Sequence, residues 1–183
     1  MKTYLSILVL IFITTLSQAQ VAQMLFYGYI EEGVFDDGAI HTRKKGKEVE
    51  AKKLEETKIF VYVKDSLYRT VDSRKTGFYA LLLEAGQKYH VVFEKQGYFC
   101  KCFEMDCTDL TYSSDEGAMK CLTDVSLFKK VDDADLLSLC KVPYAKCKFD
   151  VASNEMQWDL EYTEKAKNKF YELAEPYYMA QKK

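Results

Sequence analysis

The chain has 183 residues, with 26 lysines and arginines against 28 aspartates and glutamates, and nearly half of it is apolar. That length can bury an ordinary core, in one compact domain or one domain with an appendage. The near-neutral, mixed-sign balance speaks against nucleic acid as a partner, because nucleic-acid binders usually carry a basic excess.

The first segment, MKTYLSILVLIFITTLSQAQ, has a positive start at Lys2, an apolar stretch from Leu5 to Leu16, and small residues at Ser17 and Ala19. This is the layout of a secretory signal peptide, residues 1–19, cut after Ala19. An uncleaved anchor is the alternative, but the stretch is short of the roughly 20 apolar residues that a span needs. The first cysteine is Cys100, so lipoprotein processing at the cut is not expected. Loss of Lys2 leaves 25 basic against 28 acidic residues, net −3, and nothing after residue 20 reads as a membrane segment. The expected location is secreted or periplasmic, an oxidising space.

From Leu25 onward short β-prone runs alternate with turn residues. The predicted strands are Leu25–Ile30, Lys58–Val63, Leu67–Val71, Phe78–Glu84, Tyr89–Phe93 and Tyr98–Met105, with a last one over Ala118–Phe128. Spacing of roughly 8–12 residues with glycine and polar punctuation predicts a sandwich or small barrel. Gly28, inside the first strand, marks a bulge or a close backbone approach. Between the first two strands, Glu31–Thr57 is densely charged and poor in large apolar residues, which predicts an exposed loop. Its RKKGK run has acidic neighbours on both sides and reads better as solvated surface than as a polyanion site.

The character changes after Phe128. Asp132–Cys140 suits a short helix with an acidic start, and Ala145–Val151 alternates like a strand. Trp158, Tyr162, Ala166, Phe170, Leu173 and Tyr177 then recur at helical spacing, a stripe expected to pack on the protein's own sheet, with a partner-docking face as the alternative. Pro176 is expected to end or bend that helix.

The stretch KLEETKIFVYVKDSLYRTVDSRKTGFYALLLEAGQKYHVVFEKQGYFCKCFEMD resembles the carboxypeptidase regulatory-like domains, transthyretin-like sandwiches common in exported proteins of Bacteroidota. Leu54 with Thr57-Lys58-Ile59 stands where that family has its pLxgAxV start, Thr76-Gly77-Phe78 matches (D/N)GxF, Gly86 with Tyr89 matches GxxY, and Lys95 through Tyr98 matches kxGY. The likeness covers roughly Leu25 to Asp106, and its motifs mark turns. It implies a mainly β fold: a transthyretin-like (prealbumin-like) antiparallel β-sandwich of about seven strands, residues 20–128. The residues after it are expected to form a small C-terminal α/β extension, 129–183, that ends in a helix. The resemblance also implies a non-catalytic folding, spacer or binding module. The long charged loop, the cysteines and the C-terminal segment depart from the family pattern and inherit no role from it.

Six cysteines, Cys100, Cys102, Cys107, Cys121, Cys140 and Cys147, all fall in the second half. An even number in an exported chain points first to disulfides, with fifteen possible pairings. If Cys100 and Cys102 share a strand, their Cα atoms lie about 6.7 Å apart with side chains on one face, too far to bridge each other. Cys107 and Cys121 bracket a polar loop, so one bridge is expected there and others should fasten the C-terminal extension, each contributing ~2–4 kcal/mol. The competing reading is a redox or metal site, but the spacing fits neither a Cys-x2-Cys zinc pair nor a Cys-x-x-Cys redox motif.

Acid–base chemistry has little support. His41 lies in the charged loop and His90 on a strand, and no hydrolase or zinc-protease motif accompanies either. Asp36-Asp37 and Asp132-Asp133-Asp135 lack the glycine and terminal glutamate of an EF-hand. No cofactor, metal site or catalytic residue is therefore assigned. The expected function is a non-catalytic exported structural or protein-interaction module of the bacterial cell envelope, with another envelope or secreted protein, or a glycan, as partner; a cysteine-based redox or metal-binding protein of the periplasm is the alternative. The loop Glu31–Thr57 and exposed tyrosines are the candidate contact surfaces.

Overall fold

The structure, a computed structural model, describes residues 22–36, 39–41, 52–111, 117–130 and 142–181, with backbone alone for 34–36, 39–41 and 176–181. Its strands in chain order are β1 (Gln23–Glu32), β2 (Val34–Asp36), β3 (Ala39–His41), β4 (Lys58–Val63), β5 (Ser66–Asp72), β6 (Phe78–Glu84), β7 (Lys88–Glu94), β8 (Lys101–Asp106), β9 (Met119–Leu122), β10 (Val125–Leu127), β11 (Ala145–Asp150) and β12 (Glu155–Trp158), followed by helix α1 (Leu160–Gln181). β1 lies between β6 and the pair β9 and β10 in one sheet, while the second runs β12-β11-β8-β7-β4-β5. β2 and β3 form a separate two-stranded ribbon.

The two larger sheets stack because one face of each strand is apolar. Met24, Phe26 and Ile30 of β1, Tyr79, Leu81 and Leu83 of β6, Ile59 and Val61 of β4, and Tyr89, Val91 and Phe93 of β7 alternate into a shared interior and are almost fully buried. Phe26, Tyr79, Phe93 and Phe103 interlock there, with ring centroids 5.0 Å apart for Tyr79–Phe93, 5.6 Å for Phe93–Phe103 and 6.2 Å for Phe26–Phe103. Such pairs add about 0.5–1.5 kcal/mol each beyond area burial. The protein is thus a mainly β sandwich of two sheets with a C-terminal helix.

The sheets are mixed, where an antiparallel sandwich was expected. β9 and β10 run parallel to β1, and β11 runs parallel to β8. The last strand predicted over Ala118–Phe128 is two, broken where the chain crosses Gly28. Thr123 N–H donates to Tyr27 O at 2.8 Å, and Tyr29 N–H donates to Asp124 Oδ1 at 2.8 Å. A Cβ on Gly28 would fall 2.1 Å from Thr123 O, so the close approach read from this glycine is present. The turn glycine Gly77, at φ +74°, likewise delivers its carbonyl to Ile30 N–H at 2.9 Å.

Part of the charged segment Glu31–Thr57 is firmly placed. Lys53 bridges back to Glu31 and lies 4.5 Å from the Tyr29 ring centroid. Leu54 is a core residue whose N–H donates to Ile30 O. Thr57 and Ser73, both buried, satisfy one another: Thr57 N–H donates to Ser73 Oγ at 3.0 Å and Ser73 N–H to Thr57 O at 2.9 Å. The RKKGK run lies outside the described residues.

The C-terminal extension is woven into the sandwich. β11 adds to β8, and β12 pairs antiparallel with β11, taking residues that the helical spacing had placed on a helix. Trp158 is therefore a strand residue, its ring 6.1 Å from Phe103. The helix begins at Leu160 because Asp159 caps it: its Oδ1 accepts from Tyr162 N–H at 2.8 Å. Its backbone continues past Pro176 to Gln181, where an end or bend at the proline was expected. The helix predicted over Asp132–Cys140 lies outside the described residues. Among the described residues no helix is long and apolar enough to cross a membrane.

Candidate functional site

The outer face of the six-stranded sheet has two halves. Toward β11 and α1 it is closed by the chain itself. Cys102 points outward from β8 yet is fully buried, its thiol donating to Val142 O at 2.9 Å. Tyr162 O–H donates to Pro143 O at 2.9 Å, and its ring receives the Lys146 amine at 4.6 Å.

Toward β4 the same face is open among the described residues. Phe60 and Tyr62 of β4 and His90 and Val92 of β7 form the floor of a groove of about 960 Å³, with Lys64, Asp65, Lys88, Glu94 and Glu104 among its walls. Register explains the grouping, since Tyr62 pairs with His90, Phe60 with Val92, and His90 with Glu104. Paired residues share a face, so two aromatic rings, an imidazole and a valine lie side by side. Ion pairs set the far wall: Lys88 reaches Asp106 at 3.2 Å and Glu104 at 3.8 Å, and Lys146 reaches Glu104 at 3.7 Å. Hydrogen bonding to Asp106 raises Lys88 above the ordinary lysine value. Asp106 sits below the usual carboxylate range although burial alone would raise it, because Thr108 and Lys88 donate to it. Beyond β4, strand β5 forms the sheet edge and presents Leu67, 56% exposed, next to Tyr62.

A second unusual group is Lys101, at the end of the interior opposite Phe93. Its amine lies 3.9 Å from the Tyr144 ring centroid and 5.3 Å from that of Phe128, and burial lowers its pKa to about 7. Phe170 of α1 closes this end, packing on Phe128 at 5.4 Å and on Phe99 and Tyr144 at 6.4 Å each. The helical stripe does pack on its own domain, through Phe170 above all, without Trp158. Nothing in the local sequence singles out Lys101, because its burial depends on the aromatic residues of three distant segments.

The cysteines depart from the expected bridging. Cys102, Cys107, Cys121 and Cys147 are buried thiols, and the bridge expected between Cys107 and Cys121 is not formed. Cys100 is disulfide-bonded. It precedes β8, so it does not share a strand with Cys102, and the geometric argument about that pair does not apply. Cys140 lies outside the described residues. Burial pushes the Cys102 and Cys107 thiols up to about 12, which suppresses the nucleophilic thiolate. Among the described residues no group of three or more histidines, cysteines and acids is placed to hold a metal ion.

His90 occupies the groove floor. Only the backbone is described for His41 and Asp36, while Asp37, Asp132, Asp133 and Asp135 lie outside the described residues. The groove had one legible signal in the run KIFVYV, apolar on both faces, a pattern typical of strands that are covered on both sides.

The fold and this surface define a two-sheet β-sandwich with one aromatic face left open among the described residues. No protein-family profile matches the chain, and no curated protein matches it. Among solved structures, a double mutant of the shaft pilin SpaA from Lactobacillus rhamnosus GG is similar over 61% of this chain and 52% of that one, at 12% identity and a TM-score of 0.34. The chain thus spans about half the length of the pilin it matches.

Proposed function

We propose that this protein is a non-catalytic, exported interaction module of the bacterial cell envelope, of the carboxypeptidase regulatory-like kind, and that it engages another envelope or secreted protein through the groove on its six-stranded sheet. The observation that carries this is the half-buried floor of Phe60, Tyr62, His90 and Val92, left uncovered among the described residues on a face whose other half is closed by the chain itself. Interfaces draw their energy from such clustered aromatic anchors within a polar rim. The walls carry charges of both signs, Lys64 and Lys88 against Asp65, Glu94 and Glu104, which suits a polypeptide better than a neutral glycan. The signal-like first 19 residues and the turn motifs support the exported and family parts of this reading.

The test is cross-linking in envelope extract with Tyr62→Ser and Phe60→Ser, using Leu122→Ser as a control on the other sheet, where Leu122 is 63% exposed. A partner lost with both groove variants and kept by the control supports the reading. Equal recovery in all three overturns it, and loss to a glycan-degrading treatment alone would transfer the site to a glycan.

A further inference from the structure

We propose that Cys121 and Cys147 form an oxidative cross-linking site, at which a disulfide ties the four-stranded sheet to the six-stranded sheet through the core. Both residues occupy inward positions of their strands. Cys121 lies on β9 in register with buried Phe26 of β1, and Cys147 lies on β11 in register with buried Met105 of β8. Phe26 faces Phe103 across the interior, two positions before Met105, so the same layer brings the two cysteines toward each other. Each of the two thiols is the first influence on the other's ionisation. A third thiol, Cys107, is near enough to act on both by charge.

The oxidant is a disulfide, small or carried by an oxidoreductase, acting by thiol–disulfide exchange. The thiolate of one cysteine attacks one sulfur of the oxidant, forming a mixed disulfide and releasing one thiol. The other cysteine then attacks the protein sulfur of that mixed disulfide and displaces the second thiol. Two S–H bonds are lost and one S–S bond forms, and the two electrons and two protons leave on the oxidant's two thiols. Because Cys121 is 6% and Cys147 1% exposed, the exchange belongs to folding, before the sheets close. Only the presence of the oxidant in the cell rests on the exported reading; the pairing rests on the sandwich.

The full chain, denatured and reduced, is refolded in glutathione with glutathione disulfide, alkylated and digested with trypsin, which places Cys107, Cys121 and Cys147 on three different peptides. The expected result is a peptide joining Cys121 to Cys147 with Cys107 alkylated, and the same link in a Cys107→Ala variant. A link from Cys107 to either of the others, or alkylation of all three, overturns the proposal. Protein alkylated during cell lysis and digested in the same way separates the two readings. If the link forms in glutathione but both thiols are alkylated from cells, the pairing stands and the exported reading fails.

Discussion

Two aromatic surfaces of this molecule have opposite fates. At the end of the interior, Phe99, Phe128 and Tyr144 would be exposed if α1 did not place Phe170 over them. On the outer face of β4 and β7, Phe60, Tyr62 and Val92 are half-buried and have no equivalent cover among the described residues. Among the described residues, the chain thus closes one apolar surface with its own C-terminal segment and leaves another open beside a sheet edge. The difference separates aromatic residues that hold the fold from those available for contact, a distinction that composition alone cannot draw.

The comparison breaks most easily at Phe170, which is buried to 4% exposure and touches three rings. Phe170→Ala should cost about 3–5 kcal/mol, because it removes the largest plug from a closed interior and leaves a cavity. Tyr62→Ala and Phe60→Ala, on the open face, should stay within about 1 kcal/mol of the parent. Urea midpoints measure all three. Equal losses would mean that the groove is as structural as the closed end.

Lys101 sharpens the same contrast through pH. Its amine is lowered to about 7 from an ordinary 10.5 by burial at the closed end. Between those values the unfolded chain holds a proton that the folded chain lacks, so stability rises with pH across this window and the full penalty applies below pH 7. The Cys102 and Cys107 thiols, pushed up to about 12, oppose this above roughly pH 8.5, where unfolded thiols ionise first. Urea titrations from pH 7 to 8.5 isolate the lysine. The parent should gain about 1.5 kcal/mol relative to Lys101→Met over that interval, and the variant should be the more stable at pH 7. Parallel stability curves for the two proteins would show that the amine is solvated in solution.

Much of the sandwich was legible because alternation is local. The runs around Ile59, Tyr79, Leu81 and Val91 show their inward sets directly, and Gly28 and Gly77 mark a close crossing and a turn. The parallel additions of β9 and β10 to β1 were not legible, since pairing of segments about 95 residues apart leaves no periodic trace. Trp158 fell at helical spacing from Tyr162 by coincidence, and only the Asp159 cap separates strand from helix. The groove was half legible. Phe60 and Tyr62 break the apolar-in, polar-out rule within β4, but their closeness to His90 and Val92 depends on a register that no single segment reveals. The thiol cluster was least legible, because sequence proximity pointed to Cys107 and Cys121, while the strand registers place Cys121 beside Phe26 and Cys147 beside Met105, both facing the interior.

The smallest expected effect lies at the tip of the open face, in the turn joining β4 to β5. Lys64 and Asp65 both have positive φ, +48° and +63°, the conformation that a two-residue hairpin turn needs and that lysine adopts reluctantly. Both residues also line the groove. Replacing the pair by Asn-Gly removes the local cost without touching the interior, so stability should rise by about 0.5–1 kcal/mol. The gain should appear as a higher urea midpoint with unchanged dependence on denaturant. If the two side chains serve only the fold, partner recovery in the cross-linking assay should rise or stay level with stability. If they form part of the contact surface, recovery should fall while stability increases, which would place the cost of their backbone conformation in the service of binding.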